Sequence, residues 1–132
     1  MPSPRGLLLV AVLAAATLAQ AAGLRSPGID PQVLNDRLGG AGPPLVIDVR
    51  TPDEYSSGHV PGAVNMPVPT VTSHLDQIRQ AQQVVLYCND LRFTQMAEQL
   101  LMRAKVKGLS HLEGGLTAWK GLGLPLETTL PE

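Results

Sequence analysis

The sequence predicts a single α/β domain: a mainly parallel sheet of four or five strands with helices on both faces. Three observations carry that expectation. Residues 45–49 (LVIDV) and 84–87 (VVLY) are compact apolar runs suited to strands buried on both faces. Segments with helical spacing lie between and after them, and short strand–helix alternation favours parallel crossover units. The chain of 132 residues, 44% hydrophobic and 16% charged, is long enough for one modest core and too short for two.

The N-terminus stands apart from this domain. Residues 1–5 carry Arg5, residues 6–18 are almost wholly apolar, and Ala19-Gln20-Ala21 is a small-x-small cleavage signal. The apolar run falls short of the roughly 20 residues of a spanning helix. It reads as a signal peptide over residues 1–21, with the domain over 22–132 exported to a periplasmic or secreted location and no stable membrane anchor.

The elements follow in order. Residues 23–29 form an extended lead-in. Asp30-Pro31 is an N-cap followed by proline at the first helical position; Val33, Leu34 and Leu38 continue the spacing until Gly39-Gly40. Asp48 lies near the carboxyl end of the first apolar strand, as a structural acceptor or a catalytic base. Thr51-Pro52-Asp53-Glu54 is a capping box, so a short helix runs from Pro52 to Gly58, with Arg50 and Glu54 spaced for an exposed ion pair. His59 sits in a turn as a hydrogen-bonding residue, before a short strand at Val64 and Asn65. Residues 67–72 read as a proline-marked loop, followed by a helix through Gln80 on Val71, Leu75 and Ile78.

The second apolar strand leads into Cys88, the only cysteine, and a helix is expected from Thr94 with Met96, Ala97, Leu100 and Leu101 as its core stripe. Arg103, Lys105 and Lys107 lie near its C-terminus, where the helix dipole favours positive charge, and Gly108 ends it. Residues 109–112 form another strand, and Gly114-Gly115 turns into a last helix with Leu116, Ala118 and Trp119. Gly123-Leu124-Pro125 closes the domain.

Ten basic and eleven acidic residues give a net charge of −1 without a basic run, which argues against a nucleic-acid partner. His59, His74 and His111 show no metal-ligand spacing with Cys88. A lone cysteine cannot pair within its own chain, so it is either a buried structural thiol or chemically used. Its place at a strand-to-helix turn, where open α/β sheets hold ligands, favours use. If residues 89–93 curl around the sulfur, their N–H groups and the next helix N-terminus face it and favour the nucleophilic thiolate.

The stretches DVRTPDEY (48–55), GHVPGAVN (58–65), Tyr87-Cys88 and LEGGLTAW (112–119), in that order, resemble the successive signatures of single-domain rhodaneses. The resemblance spans roughly residues 29–128. It implies a three-layer rhodanese-like α/β fold and a sulfurtransferase that takes a sulfane sulfur from a small anionic donor such as thiosulfate. It further implies a Cys88 persulfide, a thiol or cyanide acceptor, a thiol protein among the candidates, and no metal or organic cofactor. Cys88 would be the sulfur carrier, and Asn89, Asp90, Leu91, Arg92, Phe93 and Thr94 the substrate-binding loop.

That loop differs from the usual family pattern, with Leu91 in place of a glycine and Phe93 in place of an arginine. Arg92 lies one position early, as an anion binder or as a solvated surface residue. A binding or sulfur-carrier module without turnover is the alternative reading. A cysteine-dependent phosphatase of related type would need arginine where Thr94 stands.

Overall fold

The computed structural model describes residues 25–129, so the signal-peptide expectation over 1–21 lies outside the described residues. Five strands form one parallel sheet: β1 (Gly28–Ile29), β2 (Leu45–Asp48), β3 (Val64–Asn65), β4 (Val84–Tyr87) and β5 (Leu109–Leu112), in the spatial order β1-β5-β4-β2-β3. The helices are α1 (Pro31–Leu38), α2 (Pro52–Ser57), α3 (Leu75–Gln80), α4 (Leu91–Arg103) and α5 (Gly115–Gly121), with a 3-10 segment at Val68–His74 before α3. The expected lead-in thus supplies the fifth strand, β1, paired with β5 through Gly28 and Ile29.

Alternation along each strand divides the core into two layers. Ile47, Val84 and Leu86 pack on one face against Val71, Ile78, Ala97 and Leu101, from the 3-10 segment, α3 and α4. Val46, Val85 and Tyr87 pack on the other against Leu34 of α1 and Leu116 and Trp119 of α5. Both central strands are therefore covered on both sides, which is why they read as nearly continuous apolar runs.

The caps expected from sequence form. Asp30 accepts from Gln32 N–H at 2.8 Å and from Val33 N–H at 3.3 Å. Thr51 Oγ1 accepts from Glu54 N–H at 3.3 Å while donating to Glu54 Oε1 at 3.0 Å. Four expectations change. Helix α4 starts at Leu91 rather than Thr94, because Asp90 caps it by accepting from Arg92 N–H at 3.0 Å. It ends at Arg103 rather than at Gly108, the chain leaving through Lys105 at φ 59°. Residues 68–74 wind into the 3-10 segment rather than a loop. Met96, expected in the core stripe, is 54% exposed.

The flanks are tied down by polar contacts. Ser26 Oγ donates to the Glu98 carboxylate, and His111 Nδ1 lies 2.9 Å from Glu98 Oε1, all three residues buried. Trp119 Nε1 donates to Pro125 O at 2.7 Å, and Glu127 exchanges two backbone hydrogen bonds of 2.9 Å with His59. His59 itself stacks on Tyr55 at 3.8 Å with Nδ1 2.8 Å from Tyr55 O, as its turn position suggested.

The strand order sets the location of chemistry. After β2 the chain moves outward to β3; after β4 it moves the other way to β5. The loops leaving β2 and β4 diverge, and a crevice opens at the carboxyl ends of these two strands.

Candidate active site

The two strand ends beside that crevice are joined by a buried polar network. Asp48 and Tyr87 are register partners, and the Tyr87 hydroxyl donates to Asp48 Oδ2 at 2.6 Å. Arg50 folds back on Asp48, with Nε 3.0 Å from Oδ1 and 3.1 Å from Oδ2 and Nη2 2.7 Å from Oδ2, and its backbone N–H adds a fourth bond at 2.9 Å. Arg50 Nη2 also donates to Gly58 O at 2.7 Å. Burial alone would lower the Arg50 pKa, but the hydrogen bond and charge of Asp48 outweigh it and hold it above its ordinary value. Burial first, and Asp48 second, push the Tyr87 phenol well up, so it stays a donor.

Asp48 thus acts as the structural acceptor of the two sequence readings. The exposed Arg50–Glu54 pair does not form, because Arg50 is only 5% exposed and its guanidinium turns inward to Asp48. Glu54 instead accepts from Asn89 Nδ2 at 2.7 Å, a bond that heads the causes holding its carboxyl below the usual range. Arg50 Nη1 reaches Asn89 Oδ1 at 3.4 Å. One asparagine therefore clips the Cys88 loop to both Arg50 and the capping box of α2.

Cys88 follows β4 and is 4% exposed, lining a cleft of about 360 Å³. Val49, Arg50, Thr51 and Glu54 form one wall, residues 67–69 the second, and Asn89, Asp90, Phe93 and Met96 the third. The backbone N–H groups of Asn89 and Asp90 favour the ionised sulfur. This inward-facing amide pair is narrower than the ring expected from sequence, since Arg92 N–H goes to the Asp90 carboxylate instead. The thiolate expectation is corrected as well: burial pushes the Cys88 thiol up, the two amides pull it down, and the Asp90 and Glu54 carboxylates raise it again, leaving it above its ordinary value.

Of the expected loop residues, Asn89, Asp90 and Phe93 share the cleft with Cys88. Leu91 and Arg92 line a separate depression beside Gly114 and Thr117, and Arg92 also lines a second one with Arg25 and Gln99. Thr94 is buried, its hydroxyl donating to Asp90 O at 3.3 Å. The helix turn explains the split: once α4 starts at Leu91, residues 92 and 93 point about 100° apart, and Phe93 takes the cleft side. Sequence reasoning passed over Val49, Thr51, Pro67, Val68, Pro69 and Met96 as site residues, and had taken Arg50 and Glu54 for a surface pair. The proline-marked stretch 67–69 and the DVR motif were the available signals. Among the described residues no group of three or more His, Cys, Asp or Glu could hold a metal ion.

The loop is held from behind by α5. Leu116 N–H donates to Cys88 O at 2.8 Å and Thr117 Oγ1 to Asn89 O at 3.0 Å. Gly115 makes that approach possible, at φ +59° and with an added Cβ lying 2.6 Å from Cys88 O and 2.7 Å from Asn89 O. Gly115→Ala is expected to lower stability by about 1–3 kcal/mol, read as a lower urea midpoint. An unchanged midpoint would mean that the loop tolerates displacement.

The chain is similar to known proteins over this same region. A model of the rhodanese-like domain matches residues 30–122. A sulfurtransferase of Allochromatium vinosum is 32% identical over 98 residues, covering 74% of this chain and 92% of that protein. The crystal structure of the Alr3790 protein from Anabaena sp. superposes with a TM-score of 0.69 at 33% identity, covering 76% of this chain and 82% of that one. The crystal structure of a thiosulfate sulfurtransferase from Pseudomonas aeruginosa gives a TM-score of 0.71 at 31% identity, over 79% of this chain but 20% of that longer one.

Proposed function

The chain belongs to the rhodanese-like domain family, and from that membership we propose that it is a sulfurtransferase that carries sulfane sulfur as a persulfide on Cys88. The observation that carries the reading is a cysteine lining the crevice between β2 and β4, where the backbone amides of Asn89 and Asp90 favour its ionised form. With thiosulfate as donor, the Cys88 thiolate attacks the outer sulfur, the S–S bond breaks, and sulfite leaves with the electron pair. The persulfide then rests where the thiolate was, its outer sulfur offered to a thiol or cyanide. Cyanide attack releases thiocyanate and returns the thiolate, so the cycle alternates between two enzyme forms and uses no other cofactor.

Intact-mass measurement after thiosulfate treatment tests the first half: the protein gains the mass of one sulfur atom and loses it on adding cyanide. Absence of that gain with thiosulfate and with inorganic polysulfide would favour the second reading, a binding module of the same fold. The Asp90 and Glu54 carboxylates near the sulfur favour that reading, as does the displacement of Arg92 from the cleft.

The raised Cys88 thiol has a direct kinetic consequence. The thiolate fraction at neutral pH is lower than for a free cysteine, so reaction with iodoacetamide is expected to climb with pH beyond the ordinary thiol value of about 8.5. A rate already level at neutral pH would show an acidic thiol and contradict this ordering of causes.

We also propose that residues 1–21 direct export and are removed, supported by the apolar run and the Ala19-Gln20-Ala21 signal. N-terminal sequencing of the exported protein should begin at Ala22. No described helix is long and apolar enough to cross a membrane.

A further inference from the structure

We infer that the cleft over Cys88 selects an uncharged thiol bearing an apolar group, aromatic or branched, as the acceptor of its sulfur. The inference rests on the sulfur-transfer reading above and names the substrate class of that site. Its basis is the chemistry of the walls. Phe93 and Met96, 55% and 54% exposed, stand on the first two turns of α4 and line the cleft with Cys88, as do Pro67, Val68 and Pro69. Large apolar side chains exposed together beside a reactive group are a contact surface for an apolar ligand. A cleft of about 360 Å³ suits a small molecule.

Charge points the same way. Arg50 is the one cation lining the cleft among the described residues, and its guanidinium is held by Asp48, Gly58 O and Asn89. The carboxylates of Glu54 and Asp90 line the cleft with it and act on the Cys88 sulfur. An anionic acceptor meets two negative groups and no free positive one, whereas an uncharged thiol has only the apolar wall to satisfy. Where an unpaired guanidinium at position 93 would attract an anion, this chain presents a phenyl ring.

The transfer balances without an added oxidant or reductant. The acceptor thiol R–SH gives its proton to water as it attacks the outer sulfur of the persulfide. The R–S–S bond forms, the bond between Sγ and the outer sulfur breaks, and its electron pair stays on Sγ between the Asn89 and Asp90 amides. The outer sulfur sits about 2 Å from Sγ, the length of an S–S bond, in the cleft that Phe93 also lines.

The test loads Cys88 with inorganic polysulfide, confirms the load by intact mass, and measures discharge by phenylmethanethiol and by mercaptoacetate. Expected is a preference for phenylmethanethiol of roughly tenfold or more in kcat/KM, most of it in KM, from apolar burial against the wall together with the charge effect. Phe93→Arg should invert that preference, and Phe93→Leu should keep most of it. Phe93 is exposed, so neither substitution threatens the core. Equal rates for the two thiols, or a preference that Phe93→Arg leaves unchanged, overturns the inference while leaving sulfur transfer standing. Failure to load Cys88 at all would remove both.

Discussion

Cys88→Ser is expected to abolish sulfur loading while leaving the fold intact. The residue is 4% exposed at the end of β4, and a hydroxyl fills nearly the same volume as the thiol. A serine hydroxyl can accept hydrogen bonds as the thiol can, so the polar side of the site is kept. Its oxygen neither ionises in the accessible pH range nor holds a transferable sulfur, so turnover should fall on the order of 10³-fold or more. Urea stability should stay within about 1 kcal/mol of the parent. Retained thiosulfate:cyanide turnover in this variant would exclude a Cys88 persulfide. A collapse of stability would instead make the thiol a packing element and its place at the cleft incidental.

The second large effect is on stability. Asp48→Ala leaves the Arg50 guanidinium, with a side chain 4% exposed, without its carboxylate, and removes the acceptor for the Tyr87 hydroxyl. Breaking a buried pair from one side costs about 3–5 kcal/mol, because the surviving charge stays desolvated. Against a total of roughly 5–15 kcal/mol for a domain, that is a large share of its stability. Adding Arg50→Met should recover much of the loss, since the orphaned charge goes with it. The double variant should still transfer sulfur slowly, because Asn89 keeps Glu54 but loses Arg50. Chemical denaturation of the single and double variants checks both statements. If the single variant loses less than about 1 kcal/mol, or the double variant is no better, the pair is not what holds β2 and β4 together at this end.

Most of the layout was readable because it rests on local rules. Asp30-Pro31 and Thr51-Pro52 mark helix starts that need only neighbouring backbone groups. Residues 45–48 and 84–87 declare themselves as doubly covered strands by their composition alone. What could not be read depends on partners distant in sequence. Arg50 and Glu54 have helical spacing, but Asp48 and Asn89 compete for them in three dimensions and win. Met96 was placed in the core stripe by spacing, yet the buried face of α4 runs through Thr94, Ala97, Glu98 and Leu101, and Met96, about 100° from Ala97, turns to the cleft. The thiol followed the same logic. The amides facing it were anticipated, whereas the weight of burial and of two nearby carboxylates is a property of the assembled cleft.

The contacts from α5 to the loop control more than its position. In a trans peptide the carbonyl and the amide hydrogen point in opposite directions on one rigid plane. Leu116 and Thr117 pull the carbonyls of Cys88 and Asn89 to the rear, and the amides of Asn89 and Asp90 belong to those same two planes. The polarity that the sulfur feels is therefore steered from α5 through the backbone, each peptide working as a lever whose far arm that helix holds.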